Sequence, residues 1–222
     1  MRLRNNLLSL VVGALALVGL SGQAQASSIT LTQAISSGIS SLDGNFTFSN
    51  FSAVISGMIS PNTNDYLITQ LTNGFELTGP IAVSNGDVGD MVLGYTVTAR
   101  PNILITDVHL FHNGASTTGG VASVVETIFD GSTPIANLFA PGSSDPGDVA
   151  GLAVGFVFGR GYSTLNVKKD IAVTAVLSRL RRASSAHISI VDQTFTIPEP
   201  GTLLLGSFGL LGLATLGRKR VR

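Results

Sequence analysis

Residues 91–98 have the sequence MVLGYTVT, and this stretch indicates the kind of fold that the chain adopts. Leu93, Tyr95 and Val97 stand at every second position, separated by glycine and threonine. Side chains of a β-strand alternate between its two faces, so the pattern predicts a strand that buries one face. Residues 171–177 repeat the alternation. Their apolar positions are Ile171, Val173, Ala175 and Leu177.

Turn residues recur at short intervals on both sides of this stretch. Asn-Gly or Asp-Gly pairs stand at positions 73–74, 85–86, 113–114 and 130–131, and such pairs are typical of tight turns between strands. The segments between turns are rich in Val, Ile, Thr and Phe, as strands are. Strands are predicted at residues 29–35, 46–59, 66–71, 75–83, 91–99, 103–112, 121–129, 152–158, 171–180 and 187–196, although residues 150–158 fit a short helix equally well. The pattern predicts an all-β chain with a single antiparallel β-sandwich or jelly-roll-like domain.

Two phases of alternation meet in the second predicted strand. Phe46 and Phe48 share one phase, whereas Phe51 and Ile55 share the other. A β-bulge adds one residue to a strand and so reverses the facing of everything after it. We therefore predict a bulge near residues 49–50.

The composition is that of a globular protein. Of the 222 residues, 44% are hydrophobic and 12% are charged, and cysteine is absent. The lack of cysteine excludes disulfide scaffolds, thiol catalysis and cysteine-based metal sites. The two ends carry six of the 13 basic residues and one of the 13 acidic residues. The middle therefore holds seven basic and twelve acidic residues, a balance that disfavours nucleic acid as a partner.

The N-terminus has the three parts of a secretion signal. Two arginines occur in the first four residues, and residues 7–20 form an apolar run that is short for a permanent transmembrane helix. Ala24 and Ala26 then supply the small side chains that signal peptidase reads. Cleavage after Ala26 would leave Ser27 as the mature N-terminus; an uncleaved anchor is the alternative.

The C-terminus combines three further features. Residues 198–200 read PEP, and prolines cannot continue a strand ladder, so the domain ends there. Residues 202–217 form an apolar run that would rise roughly 24 Å as a helix, near the lower limit for crossing a membrane. The basic residues that follow hold their end in the cytoplasm. They are Arg218, Lys219, Arg220 and Arg222. An ordinary tail anchor would show the same helix and basic end.

This arrangement, behind a signal peptide, resembles PEP-CTERM proteins. That family is processed by an exosortase, a membrane-embedded transpeptidase of Gram-negative bacteria that make exopolysaccharide. The resemblance implies that Pro198, Glu199 and Pro200 form the recognition motif and that residues 202–217 are a transient inner-membrane anchor. The chain then divides into a signal peptide (1–26), a mature β-rich domain (27–197) and a sorting tail (198–222).

Two internal segments also resemble uncharacterised members of that family. Residues 168–171 (KKDI) correspond to a lysine-aspartate segment, and residues 190–195 (IVDQTF) correspond to a last strand that precedes the tail. This second resemblance implies no activity.

The histidines and acidic residues give little support for a metal site. His109 and His112 are three positions apart, so on a strand they point to opposite faces, and His109 shares its face only with Asp107. Two ligands are fewer than a closed zinc site needs, and no metal is predicted. Two acidic pairs near turns leave calcium open, although aspartate is an ordinary turn residue. They are Asp87 with Asp90 and Asp145 with Asp148.

No catalytic residue or cofactor is predicted. The sequence lacks a Gly-x-Ser-x-Gly elbow, whereas carboxylates paired in space for glycoside cleavage stay open. The leading hypothesis is a non-catalytic component of the cell surface or extracellular matrix, with exosortase and signal peptidase as partners during export. The alternatives are a carbohydrate-binding or adhesion module for exopolysaccharide, with Arg179, Arg181 and Arg182 as candidate contacts, or a secreted hydrolase.

Overall fold

The computed structural model describes residues 26–117, 119–142, 150–177 and 184–197. Within these ranges the chain forms strands joined by short turns, one short α-helix and one 3-10 turn at Thr63–Asp65. The helix α1 spans Leu31–Ser37. The strands are β1 (Ser28–Thr30), β2 (Ile39–Ser40), β3 (Phe46–Gly57), β4 (Leu67–Leu71), β5 (Gly74–Ser84), β6 (Val88–Ala99), β7 (Ile105–Thr117), β8 (Val121–Asp130), β9 (Thr133–Pro141), β10 (Ala150–Tyr162), β11 (Thr164–Thr174) and β12 (Ser185–Thr196).

The strands form two antiparallel sheets of six strands each. Sheet A has the order β1-β4-β5-β12-β7-β10, and sheet B has the order β2-β3-β6-β11-β8-β9. From β5 to β12 the chain follows the order of a jelly roll: it alternates between the sheets except at β8 and β9, which are consecutive strands of sheet B. Strands β1 and β4 extend one edge of sheet A, and β2 and β3 extend one edge of sheet B. The predicted all-β antiparallel sandwich is confirmed.

Strand alternation places the core where the sequence predicts it. Leu93, Tyr95 and Val97 are buried between the sheets. The predicted bulge in β3 is also present: the pairing with β6 shifts by one residue between Ser49 and Ser52. Asn50, within the bulge, has φ 54°, a left-handed conformation that asparagine tolerates better than most residues. Phe48 and Phe51 both point inward as a result.

The strand predicted at residues 29–35 is wrong over most of its length. Only Ser28–Thr30 is extended, and helix α1 follows at once. Thr30 and Gln33 form a capping box, in which the Thr30 side chain accepts from the backbone of Gln33 and the Gln33 side chain accepts from the backbone of Thr30. Leu31 and Ala34, three positions apart, are the buried side of the helix.

Strands β9, β10 and β11 differ in presence or extent from the predicted strands. The segment that fits either strand or helix, residues 150–158, belongs to strand β10. Strand β9 is absent from the predicted strands; it contains two prolines and lies at the edge of sheet B, where prolines are tolerated. The strand predicted at 171–180 begins seven residues earlier and ends at Thr174, so Ala175 is buried beyond the strand and Leu177 is 74% exposed.

Aromatic rings fill one end of the core. The Phe48 ring meets the ring of Phe75 edge-on at a centroid distance of 5.1 Å, and it lies 5.9 Å from Phe195 and 6.1 Å from Tyr95. Phe51 stacks on Tyr95 at 5.5 Å. These rings come from both sheets, so their contacts stabilise the packing of one sheet on the other.

No helix in the described ranges is long and apolar enough to span a membrane. The predicted signal peptide, apart from Ala26, and the predicted membrane helix 202–217 lie outside those ranges.

Candidate functional site

The predicted mature N-terminus lies beside the edge of sheet A. Ala26 and Ser27 are exposed, and Ala24 lies outside the described residues. The Ser27 hydroxyl donates to Gln70 Oε1 at 2.8 Å, and the Gln70 backbone donates to the Ser27 carbonyl at 3.0 Å. Strand β1 begins one residue later, so the chain is tied to the domain directly after the proposed cleavage point.

The other end of the domain leads straight into the predicted tail. Strand β12 ends at Thr196, and Ile197 is the last described residue. Together with Phe46, Asn73 and Phe195, these two residues line an open groove of about 490 Å³. The sorting residues themselves lie outside the described part: Pro198, Glu199, Pro200, Arg218, Lys219, Arg220 and Arg222.

The two histidines of β7 lie on opposite faces, as predicted. His112 is fully buried, and its Nε2 donates to the Ala140 carbonyl at 2.8 Å, while burial lowers the pKa of the ring. His109 is half exposed and lies 3.5 Å from Asp107. Among the described residues no group of three or more histidines and acids could hold a metal ion. Asp145, Asp148, Arg179, Arg181 and Arg182 lie outside them.

The outer face of sheet A carries a pair of carboxylates on adjacent strands. Glu76 of β5 stands directly opposite Asp192 of β12, and Phe111 of β7 stands on the other side of Asp192. Asp192 is partly buried, and burial first, then the charge of Glu76, raises its pKa from 3.8 to about 6. We call Glu76, Asp192 and Phe111 the carboxylate row.

We expect Asp192→Asn to stabilise the protein above pH 6. The folded pKa of Asp192 exceeds its unfolded value, so the folded state keeps a proton that the unfolded chain releases. The stabilisation that comes from this retained proton is fully present below pH 4 and is lost as the pH rises through 6. Asparagine carries no charge, so after discounting for partial exposure the variant should gain about 1 kcal/mol in free energy of unfolding at pH 7.5 and nothing at pH 4.

Urea unfolding at the two pH values measures this difference. Glu76→Gln is the matched control: it removes the like charge but not the burial, and burial is the larger cause of the shift. It should therefore reproduce only a minor part of the gain. An equal gain for Asp192→Asn at both pH values would contradict the assignment.

A second carboxylate pair lies on the outer face of sheet B. Asp90 of β6 and Asp170 of β11 are close enough to hydrogen-bond, and burial followed by this contact raises the pKa of Asp90. The calcium alternative pairs Asp90 with Asp87. Asp87 lies in the β5–β6 turn, where its backbone N–H donates to the Ser84 carbonyl. Asp90 therefore holds a proton more readily than an isolated aspartate does.

The core contains a polar cluster that the sequence analysis did not identify. Lys169 of β11 and Glu126 of β8 face each other across adjacent strands of sheet B, and Gln193 of β12 reaches them from sheet A. All three residues are fully buried. The Lys169 Nζ contacts both Glu126 Oε2 and Gln193 Oε1. We call these residues the core triad.

The electrostatics of the core triad follow from its burial. Removal from water lowers the pKa of Lys169, against the opposing attraction of Glu126. Burial raises the pKa of Tyr95 well above 10, and the negative charge of the nearby Glu126 raises it further. Glu126 Oε1 and the Tyr95 hydroxyl have no hydrogen-bond partner within the described part of the chain.

A signal for the core triad is present in the strand phases. Lys169 alternates with Val167 and Ile171, and Glu126 alternates with Val124 and Ile128. A charged residue in the apolar phase of a strand points into the core. Gln193 follows the same rule, between Val191 and Phe195. The two segments that resemble uncharacterised family members contain Lys169 and Gln193.

Comparison with known families identifies the C-terminal segment. Residues 196–220 match the PEP-CTERM protein-sorting motif. The chain therefore carries this sorting signal, as predicted from its Pro-Glu-Pro tripeptide, apolar run and basic end. The motif is that of an exosortase substrate, and it implies export to the cell surface.

Comparison with solved structures concerns the β domain. A carbohydrate-binding module solved with β-1,4-galactotriose, TmCBM61, is 8% identical over 66% of this chain and 88% of its own, with a TM-score of 0.39. The CBM22-1 xylan-binding domain from Paenibacillus barcinonensis Xyn10C is 9% identical over 76% and 92%, with a TM-score of 0.25. The enzymatically active domain of bacteriophage CBA120 tailspike protein 4 is 12% identical over 68% of this chain and 19% of its own, with a TM-score of 0.31. No curated protein sequence matches the chain.

Proposed function

We propose that this protein is a non-catalytic structural or adhesive component of the cell surface or extracellular matrix of a Gram-negative bacterium. Signal peptidase removes residues 1–26, the tail holds the protein briefly in the inner membrane, and an exosortase then processes it. The observation that carries the proposal is the sorting motif at residues 196–220, which begins where the last strand ends.

The placement of reactive side chains supports a structural role for the β domain. Lys169 and Glu126 are sealed between the sheets, where they cannot reach an external substrate. The two carboxylate pairs lie on the outer faces of the sheets, whereas most sites that act on small molecules are concave.

Sorting is expected to depend on the Pro-Glu-Pro tripeptide and not merely on the apolar run. Each proline fixes its own φ and disfavours helix in the residue before it, so an exosortase that recognises this tripeptide would read it as an extended segment, with Glu199 as the charged side chain. Replacing Pro198, Glu199 and Pro200 by alanine should leave export and membrane insertion intact. It should abolish removal of the tail, and the protein should accumulate in the membrane at its unprocessed mass.

Membrane fractionation followed by intact-mass measurement tests this expectation. Thr202→Ala, at the start of the apolar run, is the matched control and should be processed like the wild type. Normal processing of the triple-alanine protein would contradict exosortase sorting and leave an ordinary tail anchor.

A carbohydrate-binding module is the second candidate, and the carboxylate row favours it. Phe111 is a partly exposed ring next to the two carboxylates on a flat sheet face. An aromatic ring can stack on a sugar, and carboxylates beside it can accept hydrogen bonds from the sugar hydroxyls. This combination suits the binding of an extended glycan. A glycan array separates the candidates: binding that is lost in Phe111→Ala would favour the module, and no binding would favour the structural role.

A further inference from the structure

The core triad supports an inference that does not depend on the proposed function. An amine, a carboxylate and a carboxamide are in mutual contact there, and all three are closed off from water. These are the groups required to make an amide bond between two side chains. We propose that Lys169 and Gln193 are joined by an intramolecular isopeptide bond that forms within the folded core, with Glu126 as the proton carrier.

The first requirement is an uncharged amine, because an ammonium group has no lone pair for attack. Burial of an ion pair is costly, and buried charged groups commonly neutralise. Lys169 can do so by passing one proton from Nζ to Glu126 Oε2, which it contacts directly. The direction of its pKa, lowered by burial, agrees with this transfer.

The second requirement is an electrophile held in place. Gln193 Nε2 donates to the His109 carbonyl at 3.1 Å and to the Thr194 carbonyl at 3.4 Å. These hydrogen bonds orient the carboxamide so that its Oε1 faces Lys169 Nζ. Fixed proximity gives the reacting groups a high effective concentration and so supplies part of the lowering of the barrier that attack on an unreactive amide needs.

The step balances without any further reactant. Nζ attacks Cδ of Gln193 and forms the new C–N bond, and the Cδ–Nε2 bond then breaks. The Glu126 carboxylic acid gives its proton to the departing nitrogen and takes one from Nζ. Ammonia leaves, and Glu126 ends protonated. The three protons of the ammonium and the two of the carboxamide become one on the new amide, three on ammonia and one on Glu126.

Two features favour the product. The starting core holds a positive and a negative charge away from water, whereas the product core holds none. Ammonia is also small enough to escape and dilute into the solvent. The bond would tie β11 of sheet B to β12 of sheet A, and thus link the two sheets covalently in a chain that has no cysteine.

Peptide mass mapping of the full-length protein, isolated from the producing cells and denatured, tests the proposal. After trypsin digestion we expect a peptide containing Lys169 linked to one containing Gln193, with a mass below their sum by one ammonia molecule. Trypsin should fail to cleave after Lys169 but should cleave after its exposed neighbour Lys168. Separate, unmodified peptides would overturn the proposal. A link from Lys169 to Glu126 with loss of water would overturn the assignment to Gln193.

Variants then test the role of Glu126. Glu126→Gln keeps the size of the side chain but cannot carry the proton, so the folded protein, checked by circular dichroism, should lack the link. Glu126→Asp retains a carboxyl and should form it at least in part. A link in the Gln variant would overturn the role of Glu126. Because the wild-type peptide masses decide whether the bond exists, the proposal stays testable even if a variant fails to fold.

Discussion

Replacing Lys169 by alanine is expected to lower the free energy of unfolding by about 3–5 kcal/mol. The substitution leaves the Glu126 carboxylate in the core without its cation and removes the donor to Gln193 Oε1. An unpaired buried charge is far more costly than an ion pair, because the desolvation of the carboxylate is then no longer offset. If Lys169 is joined to Gln193 in the wild type, the substitution instead removes the covalent tie between the two sheets, and stability is lost by that route.

Lys168→Ala is a closely matched control. Lys168 is the preceding residue of the same strand, but it points outward and is exposed. Its substitution should change the free energy of unfolding by no more than about 0.5 kcal/mol. Urea unfolding of the two variants and the wild type measures both values. Similar losses for the two variants would contradict the inward orientation of Lys169 and the pairing built on it.

Strand phase made the centre of the fold predictable. In β6 the apolar period is strict, and in β3 a break in that period located the bulge at residues 49–50. Prediction failed where another effect outweighed the pattern. The capping box of Thr30 and Gln33 turns the chain into a helix within an apparently extended stretch. Strand β9 contains Pro134 and Pro141, and prolines fit a strand only at a sheet edge, a position that the sequence does not reveal.

The core triad shows a different limit. Each of its members stands in the apolar phase of its own strand, so their inward orientation could be inferred one strand at a time. Their contact could not. It depends on β8 pairing with β11 and on β12 crossing to the opposite sheet, and these are long-range features of the topology. The sorting motif is linear, and residues 196–220 were therefore identifiable without any knowledge of the fold.

Phe48 lies at the centre of the aromatic cluster, and its environment determines how much stability we expect its truncation to remove. The ring is fully buried and contacts Phe75, Tyr95 and Phe195, which come from both sheets. Truncation removes the transfer energy of the ring, leaves a cavity and breaks several edge-on or tilted ring contacts. Phe139 provides a contrast, because it is 57% exposed on the edge strand β9.

We expect Phe48→Ala to lower the free energy of unfolding by about 3–5 kcal/mol, whereas Phe139→Ala should lower it by less than about 1 kcal/mol. Both substitutions remove the same atoms, so the difference in the loss reflects the different surroundings of the two rings. The burial of Phe48 depends on the β3 bulge, since without the extra residue Phe48 and Phe51 could not both face the core. Chemical unfolding of both variants is the measurement. If Phe139→Ala were the more costly of the two, the packing of β3 against β5 and β12 described above would be wrong.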